Sequence, residues 1–183
     1  MIESMDEPEE RLDLVDENDT PIGAITRQEI LSLEKNNRDF SRAVGVFVVN
    51  KQGQLWIPRR QEHKKIAPRG LDFSAGEHVG QGESYESAAL RGLHEELSIN
   101  PNSSRLRPVG NVRPFVDMPY FHAIFTYPTD VTPVYNQADY SGYEWLSPEE
   151  IVARLGKGDL AKEILLPSVQ LVMQDRKNSG VTI

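Results

Sequence analysis

Residues Arg42 to Val49 (RAVGVFVV) limit the fold more than any other stretch of this chain. The run is of strand length and almost without polar alternation, which predicts a central strand covered on both faces. Asn50 to Gly53 (NKQG) is a turn, and Gln54 to Arg60 (QLWIPRR) is its returning partner, with Pro58 placing part of it at an edge or bulge. Upstream, Arg11 to Val15 and Ile22 to Thr26 read as a hairpin around Asp16 to Pro21. Thr26 with Glu29 has capping-box spacing and opens a short helix over Arg27 to Leu33, ended by Asn36 to Asp39.

Downstream, Leu106 to Phe115 and Tyr120 to Tyr127 read as strands around Asp117, Met118 and Pro119, and Tyr143 to Leu146 as a last short strand. Ser147 and Pro148 open a helix as N-cap and first residue, and Asp159 to Asp175 makes an amphipathic terminal helix. Strands, helix, strands and closing helices predict an α/β class, a mixed sheet with helices on its faces. Residues 1–10 are acidic, contain Pro8 and read as a mobile tail, and residues 11–183 as a single domain.

The chain has no cysteine, which removes disulfides, thiolate metal sites and cysteine nucleophiles together and accords with a reducing, cytoplasmic setting. A net charge of −8 argues against a broad nucleic-acid surface. No window reaches the roughly 18 apolar residues of a membrane span, and the acidic start resembles no targeting signal.

A second stretch carries the chemistry. From Phe73 to Ile99 (FSAGEHVGQGESYESAALRGLHEELSI) a glycine-punctuated loop leads into a helix, Tyr85 to Leu97, with Ala89, Leu90, Leu93 and Leu97 on one apolar face. Glu95 and Glu96 lie off that face, with Glu83 ahead of the helix. Clustered carboxylates of this kind gather a divalent cation, because hard cations take several oxygen ligands. Arg59, Arg60, Lys64, Lys65 and Arg69 form a basic segment just before them. His78 and His94 share no ligand spacing and read as a loop histidine and an exposed helix histidine. Tyr120, Phe121 and Tyr127 read as core or wall aromatics.

This stretch resembles the Nudix box, G-x5-E-x7-R-E-U-x-E-E-x-G-U with U a bulky aliphatic. Glu83, Arg91, Leu93, Glu95, Glu96 and Ile99 match at the required spacing. Glu77 stands at the first glycine, Gly92 at the glutamate after the arginine, and Ser98 at the last glycine. The flanks LDLVDENDTPIGAITR, GQLWIPRR, APRGLDFSAG and YEWLSPEE are similar to the branch of the family that includes isopentenyl diphosphate isomerase.

The resemblance implies the Nudix fold, a mixed sheet sandwiched between helices, and hydrolysis of a nucleoside diphosphate-linked substrate with Mg2+ or Mn2+. By the same resemblance, Glu95 and Glu96 hold the metal, the Gly76 carbonyl assists, and Glu83 pairs with Arg91 to brace the loop. Glu144 and Asp139 stand where relatives place a later acidic residue reaching the metal. The basic segment, Arg59, Arg60, Lys64 and Lys65, would receive phosphate. Gly92 leaves a ligand or base position vacant, and glycine inside a helix costs about 1 kcal/mol relative to alanine. Two readings follow: Glu77 supplies the missing carboxylate, or the chain is a Nudix-fold module that binds a nucleotide or metabolite without turnover. Alkene isomerisation is not expected, since that chemistry uses a cysteine this chain lacks. A homodimer is left open by the sequence.

Overall fold

The computed structural model describes residues 9–30, 39–115 and 118–180. Most of the expected tail, the expected helix beyond Ile30, residues 36–38 and Asp117 lie outside them. Strands β1 (Arg11–Val15) and β2 (Pro21–Thr26) form an antiparallel hairpin. Its turn is held by the Asp16 carboxylate, which accepts from the N–H of Asn18 at 2.8 Å and of Thr20 at 2.9 Å. A 3-10 turn, Arg27–Glu29, follows, with the Glu29 carboxylate accepting from the Thr26 N–H at 2.9 Å.

The apolar run becomes β3 (Ser41–Val49), at the middle of a six-stranded sheet. β4 (Leu55–Arg60) and β5 (Ala75–His78) lie on one side of it, with β4 joining only at Val49 and β5 covering Ala43 to Val46. After helix α1 (Tyr85–Leu97) come β6 (Arg107–Val112), β7 (Tyr120–Pro128) and β8 (Tyr140–Leu146). β7 pairs with β3 in parallel, β6 with β7 and β8 with β4 antiparallel. Helices α2 (Pro148–Gly156) and α3 (Leu165–Ser179) close the fold.

Alternation along β3 decides which side chains meet which helix. Val44, Val46 and Val48 join Ala123 and Phe125 against Ala88, Ala89, Leu93 and Leu97 of α1. Phe47 and Ile124 face the other way, onto Ile151 of α2 and Leu165, Val169 and Val172 of α3. Helices thus cover both faces, as the unbroken apolar pattern requires.

Several boundaries differ from the sequence expectation. Gly92 and Ala88 join the buried arc of α1 while Leu90 is only half-buried, because the helix packs on β5 as well as β3. β8 starts at Tyr140 because Tyr140 pairs with Arg60 across a register shift. The terminal helix starts at Leu165 rather than Asp159. The intervening chain runs beside Leu71, whose N–H donates to the Leu160 carbonyl at 2.8 Å and whose carbonyl accepts from Lys162 at 3.1 Å. Among the described residues no helix is long and apolar enough to cross a membrane.

Candidate functional site

The site is built where the loop after β5 turns into α1. Ser84 caps the helix, its hydroxyl oxygen accepting from the Ser87 N–H at 3.1 Å. The Gly82 N–H donates to Asp13 at 3.0 Å, which anchors the loop to the hairpin, and the Gly80 N–H donates to Glu83 at 2.8 Å. Glu83 is thereby turned toward Arg91.

One guanidinium then ties three elements. Arg91 donates to Glu83 through Nε at 3.2 Å and Nη2 at 3.1 Å, and to the His78 carbonyl at 2.8 Å. Its Nη1 reaches Glu77 on β5 at 3.1 Å and Glu95, one turn on, at 3.4 Å. Such a fork is what arginine offers and lysine does not. Glu96 is held separately, accepting from the Gly76 N–H at 2.8 Å and from the Tyr140 hydroxyl at 3.1 Å.

The electrostatics divide these carboxylates. Burial pushes Glu83 up, but hydrogen bonds from Arg91 and Gly80 outweigh it and leave the group below its ordinary value. For Glu77 burial wins over Arg91, with Glu95 adding repulsion, so its carboxyl is raised. Glu96 is pushed up to about 8 by burial and then by Glu77, against the opposing Gly76 N–H. Two neighbouring carboxyls that resist ionisation form a site short of positive charge, a shortage a cation relieves.

Gly92 acquires a physical reason. A Cβ built on it would lie 2.7 Å from Glu77 Cγ and 3.8 Å from Ala75 Cβ. Carbon contacts settle near 3.5–4.0 Å, so the first of these is a clash. The side chain of Glu77 enters from β5 and fills the place where a side chain at position 92 would begin. Its carboxylate continues to Arg91, 3.1 Å from Nη1.

These groups line a cavity of about 950 Å³ that also takes in Arg60, Lys64, Tyr140 and Lys162. Glu77, Glu83, Arg91, Glu95, Glu96 and Gly76 are therefore brought together. The basic segment divides. Arg60 and Lys64 line the cavity, Arg60 paired with buried Asp72 at 2.6 Å and Lys64 paired with Asp139. Arg59 is outside the lining, held by both oxygens of Asp159 at 3.0 Å, and Lys65 is exposed outside it too. Arg69 faces Glu62 at 3.8 Å. Glu144 is drawn away by Arg154 at 2.8 Å and does not line the cavity.

Sequence reasoning missed Lys162, Tyr140 and His122 on this wall. Lys162 reaches Asp72 at 2.9 Å, a contact made only because the segment before α3 runs along Leu71. No spacing within the chain signals it. His78 lies in β5 rather than in a loop, while His94 is exposed as expected.

The donor chemistry fits a hard divalent cation, since Glu77, Glu95, Glu96 and the Gly76 carbonyl are all oxygen donors. As the side chains stand, no group of three or more acidic or histidine side chains among the described residues is gathered to hold an ion. Glu77 and Glu95 are turned onto Arg91 and Glu96 onto Gly76 and Tyr140, so binding requires side-chain rotation.

Comparison with known proteins agrees with this geometry. The family model of the NUDIX domain matches residues 39–168, from the strand edge at β3 into α3. A Deinococcus radiodurans protein named Nudix hydrolase is 41% identical over 156 residues, covering 84% of this chain and 88% of that protein. An isopentenyl-diphosphate Delta-isomerase of Streptomyces griseus is 37% identical over 102 residues, 56% of this chain and 49% of that protein. The crystal structure of a Deinococcus radiodurans protein superposes with a TM-score of 0.76 at 39% identity, covering 88% of this chain and 98% of that one. With the fold, the matched box and these relatives in agreement, the chain belongs to the Nudix family.

Proposed function

We propose that this protein hydrolyses a nucleoside diphosphate-linked substrate at a phosphoanhydride bond, by metal-assisted attack of water on phosphorus. The observation that carries this reading is the placement of Glu77 in the space before Gly92, beside Glu95 and Glu96 on one cavity wall. Hydrolases of this family generally act with divalent metal. Glu77, Glu95, Glu96 and the Gly76 carbonyl would hold Mg2+ or Mn2+, which supplies neutralisation of phosphate charge and a more acidic bound water.

The chain's own residues do the rest. Arg91 and Glu83 keep the loop against the helix, so Glu77 and Glu95 are held close to one another and have only to turn from Arg91 when metal binds. Arg60, Lys64 and Lys162, which line the same cavity, present cations to the phosphates. Water forms a bond to phosphorus, the bridging P–O bond breaks, and the departing phosphate oxygen keeps the electron pair. The proton released from water is taken up by the carboxylate cluster. The reading as a binding module drew on the carboxylate missing at Gly92, and the entry of the Glu77 side chain beside Gly92 supports hydrolysis over that reading.

The test is release of phosphate or nucleoside monophosphate from a panel of nucleoside diphosphates, triphosphates and diphosphate sugars, with Mg2+ or Mn2+. Metal-dependent release is expected, falling at least ~100-fold in Glu96→Gln. Binding of these compounds without release by the natural protein would refute hydrolysis.

A further inference from the structure

One carboxylate behind the cavity organises the cations in front of it. Asp72, in the segment leading into β5, has a side chain only 2% exposed and does not line the cavity. Its Oδ2 accepts from Arg60 Nη1 at 2.6 Å and lies 2.9 Å from Lys162 Nζ. Its Oδ1 accepts from the Phe73 N–H at 2.8 Å. The carboxylate is thus fixed by the backbone through one oxygen and holds two cations on the other. Because both cations meet the same oxygen, their nitrogens are separated by no more than those two distances together. Like charges so close repel one another, and the buried carboxylate between them offsets the repulsion.

The two cations face where Asp72 does not. The side chains of Arg60 and Lys162 are 13% and 26% exposed, and both line the cavity. Lys162 favours the ionised form of Glu96, and Arg60 that of Tyr140. The pair therefore stands at the Glu96 end of the cavity, beside the carboxylate cluster.

Each arm of the pair is held by backbone. The Arg60 Nε donates to the Ile66 carbonyl at 2.8 Å, which orients the guanidinium a second time. Lys162 is delivered by the chain beside Leu71, where Leu71 and Ala161 form a parallel bridge. The Lys162 N–H donates to the Leu71 carbonyl at 3.1 Å. Gly70 permits this approach, since a Cβ there would meet Ala161 Cα at 3.1 Å and Ala161 N at 3.2 Å, closer than ordinary packing distances. Main-chain pairing, and not only a flexible side chain, brings Lys162 to Asp72.

We propose that Arg60 and Lys162 act as one clamp on a single phosphate group of the substrate, with Asp72 as the positioning residue that keeps the clamp in shape. Guanidinium and ammonium groups carry more donors than Asp72 takes, so each can hold the carboxylate and a phosphate oxygen at once. Asp72 touches no substrate and acts only through the two cations. The assignment deepens the reading above and rests on it for a ligand that carries a diphosphate.

The affinity of the intact protein for inorganic diphosphate, measured by calorimetry without added metal, tests the clamp separately from hydrolysis. Lys162→Met should weaken binding at least ~10-fold. Asp72→Asn, which keeps the shape of the side chain and removes its charge, should weaken it by roughly as much. A carboxylate that merely opposed anions would on removal tighten it, and one that served stability alone would lower the urea midpoint and leave the affinity of the folded protein unchanged. Because Asp72 acts through Lys162, the loss in the double variant should be smaller than the two single losses multiplied. As a check that needs no variant, the 15N resonance of the Lys162 ammonium in the natural protein should move on adding diphosphate. An equal or tighter affinity in Asp72→Asn, losses that multiply in full, or an unmoved Lys162 resonance at saturating diphosphate would overturn the assignment. Diphosphate binding that needs Asp72 and Lys162, in a protein that releases no phosphate from the substrate panel, would leave the clamp standing and refute hydrolysis alone.

Discussion

A Cβ at Gly92 would stand 2.7 Å from Cγ of Glu77, so the two positions compete for one volume. The helix is glycine there because the strand sends in a glutamate. Gly92→Ala alone should therefore destabilise the protein, although alanine is the better helix former by about 1 kcal/mol, since overpacking a filled site costs about 1–3 kcal/mol. Glu77→Gly alone should empty the site and lower metal affinity. The exchange Glu77→Gly with Gly92→Glu should recover metal binding that either single change loses. A double-mutant cycle read by metal titration and urea unfolding checks this, with a coupling of at least ~1 kcal/mol expected. Strict additivity would show that the two positions act independently.

Arg91 bonds to Glu83, Glu77 and Glu95 at once, and the side chain is partly exposed. Its carboxylate partners raise it above its ordinary value against the opposing effect of burial. Arg91→Met should cost about 2 kcal/mol, less than for a fully buried pair, because solvent screens part of the repulsion it releases. Arg91→Lys should recover only part, since an ammonium cannot fork between β5 and the loop. Urea midpoints of the three proteins decide the point, and equal midpoints for Lys and Arg would remove the geometric argument.

The parts of this fold that were legible in the sequence share a local cause. Val44, Val46 and Val48 alternate with Phe47 through a run with no polar break, so the two-sided burial of β3 follows from residues within the strand. Ser84, Ser147 and Glu150 specify helix starts through contacts three residues apart. Glu95 and Glu96 could be found because they lie off the apolar face of one helix, and Glu83 and Arg91 because their spacing matches the box. Lys162 and Tyr140 could not. They reach Asp72 and Glu96 across long separations, through the β4–β8 register and the chain beside Leu71. Arg59 and Glu144 looked like site residues by position, yet each meets a nearer partner, Asp159 and Arg154.

Neutral His122 makes stability depend on acid. Its folded pKa is lowered to about 3 from 6.5 by burial, with Lys162 adding to the effect. Between those values the unfolded chain binds a proton that the folded chain refuses, so this contribution is complete above pH 6.5 and is lost as pH falls toward 3. One such proton corresponds to a slope of about 1.4 kcal/mol per pH unit. In His122→Phe the unfolding free energy between pH 6 and pH 4 should therefore fall less steeply than in the natural protein, by up to that slope. Parallel profiles would mean that His122 is protonated in the fold.

Ser98 ends α1 in the left-handed region, at φ 52° and ψ 25°. Its N–H donates to the His94 carbonyl at 3.1 Å, and the Ile99 N–H to Leu93 at 3.1 Å, so the end is closed by backbone hydrogen bonds and the serine side chain is exposed. Glycine tolerates this conformation without the Cβ penalty. Ser98→Gly should stabilise the protein by about 0.5–1 kcal/mol, visible as a melting temperature raised by roughly 2–4 °C, with turnover unchanged. A lowered melting temperature would show that the gain is outweighed by entropy of the unfolded chain.

Tyr140 acts on the site through Glu96. Its hydroxyl donates to Glu96 at 3.1 Å, while the Gly76 N–H takes the other oxygen, so the carboxylate is fixed from two sides. Burial and then Glu96 hold the phenol well above its ordinary value, and it stays a donor throughout the working range. Tyr140→Phe removes that donor and keeps the ring, which packs edge-on to Trp56 at 6.5 Å. If Glu96 holds the metal, losing an orienting partner should raise the Mg2+ concentration for half-maximal activity by roughly tenfold or more. At saturating Mg2+ the KM for substrate should change little, because the hydroxyl is committed to Glu96. A variant with normal Mg2+ dependence and a lowered melting temperature would assign Tyr140 to packing alone, and a raised KM at saturating metal would place its hydroxyl on the substrate.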